Sequence, residues 1–541
     1  MADQSRQQRL FLGCFLALVA TAFGFVVRGA VLEDWALQFG LTEEQKGIIQ
    51  GVGLYPFAIS IILFSLIIDR IGYGTAMVFA FVGHLASTLL TIFAPNFAVL
   101  YVATFIYALA NGTVEAVINP VVATVYRDNK THWLNILHAG WPGGMALAGL
   151  LAIAVSIAGK SLGTALPGQL WQWQMVILLV PILIYGFLLF GLRFPTQERV
   201  EAGVSYREML SEFGWGSAYI VSFLLIMGFS QILTVFNGLT IGGTTLELQP
   251  IKVEYALAAS LVPTILFAIF IHSFGRPMFV FLLLVMFLLA TTELGTDGWI
   301  QDIMRSVLQS PTSGTLFLVY TALIMFVLRF FAGPIVHKIS PLGLLAACAA
   351  IASIGLLWLG SAGDRVSMLF LAATLYGFGK TFFWPTTLGL VSEQYPRGGA
   401  LLLNAIAGVG MIAVGTIGGP AIGTLQDANF NTAVKEQMPE VHAQLAATKT
   451  GLFSKYQFVD KSKLDGAEVD PAQQRQLTSL ESAAKQQALV KIAILPAIMC
   501  ICYLLLIAYF RSRGGYKAEV LTGHAAEDEK FTGGVKGPVE A

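Results

Sequence analysis

Fourteen times along this chain a run of about 20 apolar residues recurs between charges or turn residues, each long enough to cross the roughly 30 Å hydrocarbon core of a bilayer as a helix. In hydrocarbon every backbone N–H and C=O must find its partner inside the protein, so serial runs of this kind fold as helices and pack as a bundle. They lie near residues 9–31, 47–68, 73–94, 98–126, 133–158, 172–192, 217–237, 253–274, 277–298, 314–333, 340–360, 366–391, 400–425 and 487–510. Charged residues make up 12% of the chain, about half the share of a soluble domain. The expected fold class is an all-α integral membrane protein. The first run follows Arg6 and Arg9 without a small-residue cleavage pattern and reads as a retained span.

Basic residues near short loops set the orientation. With the N-terminus cytoplasmic, twelve fall on the inner side: Arg6, Arg9, Arg70, Arg127, Lys130, Arg193, Arg199, Arg207, Arg276, Arg329, Lys338 and Arg397. Five fall outside: Lys46, Lys160, Lys252, Arg305 and Arg365. A multi-pass protein of the cell membrane with both termini cytoplasmic is expected. The expected division is an N-terminal six-helix bundle over 1–193, a cytoplasmic linker over 194–216 and two extra helices over 217–275. There follow the first five helices of a C-terminal bundle over 276–425, an outer soluble segment over 426–486, a last span over 487–510 and a tail over 511–541. Pro471 to Gln487 has helical composition, and the tail after Gly514 has that of a disordered segment. Zero net charge gives no reason to expect a nucleic-acid partner. Cys14, Cys348, Cys500 and Cys502 lie in apolar runs without metal-ligand spacing, so neither metal nor cofactor is expected.

An internal repeat runs through the spans. Ile68-Asp69-Arg70-Ile71-Gly72 after the second span matches Val336-His337-Lys338-Ile339-Ser340 after the tenth. Glu33-Asp34-Trp35 at the end of the first span matches Asp297-Gly298-Trp299 at the end of the ninth, and Leu134-Asn135 in the fifth matches Leu403-Asn404 in the thirteenth. The shared order aligns spans one to six with nine to fourteen, the internal symmetry typical of carriers.

The Asp69-Arg70-x-Gly72 turn resembles the signature loop of the major facilitator superfamily, where the charged pair helps lock one conformation. Glu115 with Asn119-Pro120, then Leu134-Asn135-Ile136-Leu137-His138, and Thr292-Glu293-Leu294-Gly295 before Trp299, resemble the fucose–proton symporter branch of that superfamily. The resemblance covers most of both bundles and leaves out the two extra helices and the outer segment. It implies alternating access, symport and a sugar as substrate. The branch has an acid midway along the first span where Arg28 and Gly29 stand here, so proton coupling does not carry over directly.

Ionisable groups at mid-depth in a bilayer are costly and mark solute or proton paths. Glu115 shares a helix face with Asn111 and Asn119, spaced by four, and is the first choice for a proton carrier. Asn135, His138 and Trp141 follow one turn apart on the fifth span, with His138 suited to proton relay. Lys380, beside Trp384 and Pro385 in the twelfth span, needs a buried partner or a solute. Arg28 is placed to bind an anion or to neutralise Glu33, and Glu293 is a deeper site residue than Asp297 on the same face. His84 has no polar companion and reads as a structural residue. Pro120, Pro142 and Pro385 open helices near the proposed cavity.

The solute-binding set is Asn111, Asn119, Asn135, Trp141, Arg28, Glu293, Lys380 and Trp384. Asp69, Arg70 and Gly72 form the conformational lock. No nucleophile triad, phosphate loop or metalloprotease motif is present, so no enzyme is expected. The expected function is secondary transport of a small polar solute, a sugar by resemblance, with the proton as co-substrate. Two alternatives remain: an organic-anion carrier, for which Arg28 and Lys380 supply cations, and a non-transporting membrane sensor that uses 426–486 as its partner surface.

Overall fold

The computed structural model describes residues 2–41, 48–49, 51–163, 167–233, 240–241, 244–245, 248, 251–309, 313–450, 455–466, 469–519 and 521. Lys46 and residues 522–541, which enter the orientation and tail expectations, lie outside these. Among the described residues, twelve helices are long and apolar enough to span a bilayer. They are Gln4–Phe39, Tyr73–Ile92, Phe97–Val125, Arg127–Ser161, Leu170–Leu189, Tyr206–Leu233, Val253–Ile271, Pro277–Leu308, Lys338–Ser361, Val366–Gln394, Pro396–Gln437 and Pro471–Ser512. The shorter helices Tyr55–Ile71 and Ser313–Arg329 fill the second and tenth of the expected positions.

Two bundles face each other, and the repeat explains how. The second span packs on the thirteenth, and the fifth packs on the tenth. Because the repeat aligns the second span with the tenth and the fifth with the thirteenth, each contact is the image of the other. Small residues permit such approach. Inside the N-terminal bundle, a Cβ at Gly112 would lie 2.1 Å from the Phe57 carbonyl oxygen, so only glycine lets the fourth span lie this close to the second.

The two extra helices are central in the sequence only. The seventh span leans on the thirteenth, and the eighth packs on the seventh from outside, exposing Val262, Leu266 and Ile269. A helix that apolar with one face unpartnered is suited to lipid. The seventh also touches the second span of the N-terminal bundle.

Arg9 at the chain start donates to the Leu188 carbonyl at the end of the sixth span, 2.8 Å. The tail reaches the end of the twelfth: Gln394 donates to the Lys517 carbonyl (2.8 Å), and Tyr516 donates to a Glu393 oxygen (2.7 Å). The chain start near Arg9, the linker and residues 514–519 therefore share one face, called here the terminal face. Residues 514–519, expected to be disordered, are held by these bonds.

At the opposite face, the described residues of 426–486 fold on a small core of their own that includes Phe430, Val434, Val441, Leu445, Val459 and Leu477. The helix Pro471–Ile492 starts at a capping box: Asp470 accepts from the amides of Ala472 and Gln473, and the Gln473 side chain reaches back. A hairpin, Ala446–Thr450 with Lys455–Val459, accompanies it, which helical composition did not announce. Gln486 donates to the Leu359 carbonyl (2.9 Å), and Lys485 pairs with Asp302 on the ninth span (2.8 Å). The cap is thus fastened to the C-terminal bundle.

Candidate functional site

Prolines organise the centre. A proline within a helix has no N–H to offer the carbonyl four residues earlier, and that carbonyl must be satisfied by another donor when no water is near. Pro142 frees the carbonyl of His138, Pro385 that of Thr381, and Pro120 that of Ala116. Arg329 of the tenth span fills the first two: its Nη1 donates to the His138 carbonyl and its Nε to the Thr381 carbonyl, 2.8 Å. Asn404 fills the third, its Nδ2 donating to the Ala116 carbonyl at 3.0 Å.

Arg329 also pairs with Glu293 (Nη2 to Oε1, 3.2 Å), and both side chains are almost wholly buried. This corrects the sequence reading, which placed Arg329 in a loop at the terminal face. The orientation argument loses one residue and keeps eleven against five. Its signature in the sequence was the pair of prolines, whose orphaned carbonyls call for a donor.

His138 joins the bundles. Its carbonyl accepts from Arg329 of the C-terminal bundle, while its Nε2 meets Asn119 Oδ1 at 2.9 Å within the N-terminal bundle. Asn119 in turn donates through Nδ2 to Glu115 Oε2 at 2.6 Å. An amide oxygen only accepts, so His138 carries its proton on Nε2. The result is a connected path, Glu115 to Asn119 to His138 to Arg329 to Glu293, from one bundle to the other.

The C-terminal bundle holds a second buried pair, Lys380 with Asp297. Lys380 is 1% exposed, and its Nζ also lies 5.2 Å from the centre of the Tyr376 ring. Its partner is the acid that the sequence reading set at the outer boundary. The ninth span swells into a π-helical turn, Thr291–Gly295, around Glu293, which rotates Asp297 into reach; such turns recur at functional sites. The thirteenth span has its own π-helical turn, Val414–Gly418, packed against it. Trp384 is buried, and its main chain borders the Glu293 carboxyl.

The N-terminal bundle differs. Glu115 is 4% exposed and has Asn119 but no cation as its partner among the described residues. Arg28 lies over the Tyr107 ring, 4.0 Å from its centre, and forms no ion pair among the described residues. Asn111 does not join Glu115: His84 takes it through Nε2 to Oδ1, 2.8 Å, and His84 Nδ1 meets Tyr185. His84 is therefore a bonded structural histidine whose companions come from other helices. Trp141 is half-buried against Phe25, ring centres 5.1 Å apart.

The bundles are tied together at the terminal face. Thr131 donates through its amide and hydroxyl to Glu393 of the twelfth span, and Lys130 donates to the Ser392 carbonyl (3.2 Å) and to Glu198 of the linker (2.6 Å). The Asp69-Arg70-x-Gly72 turn contributes differently from its reading as a charged pair. Asp69 pairs with Arg199 of the linker, Arg70 is exposed, and Gly72 at φ +78° allows the sharp turn. Burial lowers the Arg199 guanidinium to about 10, which still leaves it charged at neutral pH. At the opposite face a Cβ at Gly29 or Gly298, on the first and ninth spans, would meet nothing within 4 Å.

Asn135 and Asn404, matched in the repeat, act alike across the interface. Asn135 Nδ2 donates to Thr386 Oγ1 (3.2 Å) on the twelfth span, and Asn404 Nδ2 to Ala116 on the fourth. Replacing both by Ala removes two cross-bundle bonds at about 1 kcal/mol each and moves the balance toward an opened terminal face by about 30-fold. Spin labels at Asp128 and Lys338 should then move apart in pulsed resonance measurements; an unchanged distance distribution would show the clasps to be inert.

The family model described as Major Facilitator Superfamily matches residues 13–294. A gentisate transporter of Corynebacterium glutamicum is 24% identical over 204 residues, covering 38% of this chain and 44% of that protein, so the match spans less than half of the relative. Among solved structures, the human organic anion transporter MFSD10 superposes with TM-score 0.56 at 14% identity, covering 92% of this chain and 99% of its own. The proton:xylose symporter XylE gives 0.58 at 13% identity, with 92% and 95% covered. The E. coli fucose:proton symporter gives 0.50 at 16%, with 91% and 98% covered. At these identities the superpositions speak for the fold.

Proposed function

As a chain that belongs to the Major Facilitator Superfamily, this is a multi-pass membrane protein, and we propose that it carries a small polar organic solute by alternating access with a proton as co-substrate. The observation that carries the reading is the path from Glu115 through Asn119 and His138 to Arg329 and Glu293. Among the described residues Glu115 has no cation as partner, and an acid at mid-depth in a bilayer marks a proton or solute path. Its protonation state acts on Asn119, and through His138 on the contact that joins the two bundles. Loading a proton and rocking the bundles are thereby linked.

Asn135 Oδ1 and Asn404 Oδ1 are buried without a donor among the described residues, and they suit the hydroxyl groups of a solute. Sugars and hydroxylated acids both offer these. The fucose and xylose symporters among the structural relatives support the first, the gentisate and organic anion transporters the second. We place the terminal face in the cytoplasm of a cell membrane, where the basic residues collect. Trp141 and Trp384 complete the walls. The cap is fastened to the C-terminal bundle and would travel with it.

Uptake into proteoliposomes of purified full-length protein tests the reading. Imposing an inward proton gradient should concentrate a solute from a panel of sugars and hydroxylated acids, and a protonophore should abolish the accumulation. Solute that equilibrates at the same rate and to the same level with and without the gradient would refute proton coupling.

A further inference from the structure

Two unmatched charges face each other's absence in the N-terminal bundle, and their signs have a consequence for what is carried. Among the described residues, the membrane-embedded ion pairs Glu293–Arg329 and Lys380–Asp297 are internally neutral. Arg28 and Glu115 are the exceptions. Arg28 leaves Nε and Nη2 buried without an acceptor. Among the described residues no acceptor meets these atoms: the guanidinium lies over the face of the Tyr107 ring, whose hydroxyl donates to the Ala20 carbonyl (2.6 Å), and both His84 ring nitrogens are engaged by Asn111 and Tyr185. A guanidinium cannot shed its proton to escape this cost, and its planar fork matches a carboxylate. Phe25 lies three residues before Arg28 on the same helix, and its half-buried ring meets that of Trp141, an apolar aromatic pair one turn from the cation.

We propose that Arg28 anchors the carboxylate of the transported solute, a hydroxylated organic acid, and that the cycle is an electroneutral symport of one proton with one monocarboxylate. This rests on the carrier reading above. The charges balance in only two forms. Empty, with Glu115 ionised, Arg28 and Glu115 cancel. Fully loaded, the proton neutralises Glu115 and the solute carboxylate neutralises Arg28. A carrier holding the proton alone, or the anion alone, takes a net charge into the low-dielectric interface and is penalised when the bundles rock. Neutrality thus enforces the coupling: proton and anion cross together or not at all. No bond is made or broken beyond proton transfer from water to the Glu115 carboxylate on one side and its return on the other.

The test uses matched probes on the purified full-length protein: D-galacturonate against D-galactose, and 4-hydroxybenzoate against 4-hydroxybenzyl alcohol. Binding is read by ligand-induced thermal stabilisation. At least one acid should bind about tenfold or more tightly than its neutral twin, and Arg28→Gln should erase that preference. Arg28→Lys, which keeps the charge and loses the fork, should retain a weakened preference even if Arg28→Gln fails to fold. In proteoliposomes, acid uptake should follow an imposed pH gradient and ignore a potassium–valinomycin potential. Equal binding of neutral twins, or a preference untouched by both Arg28 variants, would overturn the anchor. Accumulation driven by potential alone would overturn electroneutrality. Discriminating binding with no flux under any gradient would overturn the carrier reading while leaving the carboxylate site standing.

Discussion

Glu115→Gln abolishes concentrative uptake and spares exchange. Glutamine preserves the shape of the side chain and the partner for Asn119 Nδ2, which donates to Glu115 Oε2 at 2.6 Å, but it cannot ionise. A carrier so altered is fixed in the proton-loaded form: it still binds solute and still rocks when loaded, so labelled solute exchanges against unlabelled solute. It cannot return empty after releasing a proton. With one proton per solute, one pH unit sustains about tenfold accumulation, 1.4 kcal/mol per decade, and the variant should fall to a ratio of about one. The measurement is paired: gradient-driven uptake and counterflow in the same proteoliposome preparation. Retained accumulation would remove Glu115 from coupling, and loss of both activities would mark it as structural.

Arg329→Ala should be the most destabilising single change among the residues discussed. It strands the Glu293 carboxylate, which lies 2% exposed, and orphans the His138 and Thr381 carbonyls that prolines have already deprived of their helical donors. Breaking a buried ion pair by removing one partner costs about 3–5 kcal/mol, and each unsatisfied buried carbonyl adds about 1–3 kcal/mol. Thermal unfolding in detergent should show a large fall in midpoint or loss of monodisperse protein. Adding Glu293→Gln removes the stranded charge and should recover part of the loss, leaving the carbonyl deficit. A single variant as stable as the wild type would mean that the guanidinium is replaceable by water. A double variant no better than the single would place the cost in the carbonyls alone.

Much of this architecture was legible one residue at a time. Hydropathy gave the spans because a bilayer admits few other solutions, and the ordered repeat of Leu134-Asn135 with Leu403-Asn404 anticipated that these two asparagines would act as equivalents. The helical composition of Pro471 to Gln487 announced the cap helix, and the structure showed the Asp470–Gln473 capping box that starts it. Other residues resisted. Arg329 ends an apolar run, a position occupied equally by loop residues and by buried cations; only its three acceptors tell them apart. Lys380 had several acids at comparable sequence depth, and the π-helical turn at Thr291–Gly295 decided for Asp297. Asn111 looked like a neighbour of Glu115 because four residues separate them, yet His84 from another helix claims it.

The sequence by itself determined that this chain lives in a membrane, that it is two related bundles with insertions, and which few side chains are too costly at mid-depth to be idle. Those follow from periodicity, composition and the energetics of hydrocarbon, all of them local. The tertiary structure alone decided who pairs with whom: Arg329 with Glu293, Lys380 with Asp297, and, among the described residues, no acid with Arg28. Pairing depends on distances of a few ångströms between helices far apart in the chain, and a helix turned by one residue presents a different partner.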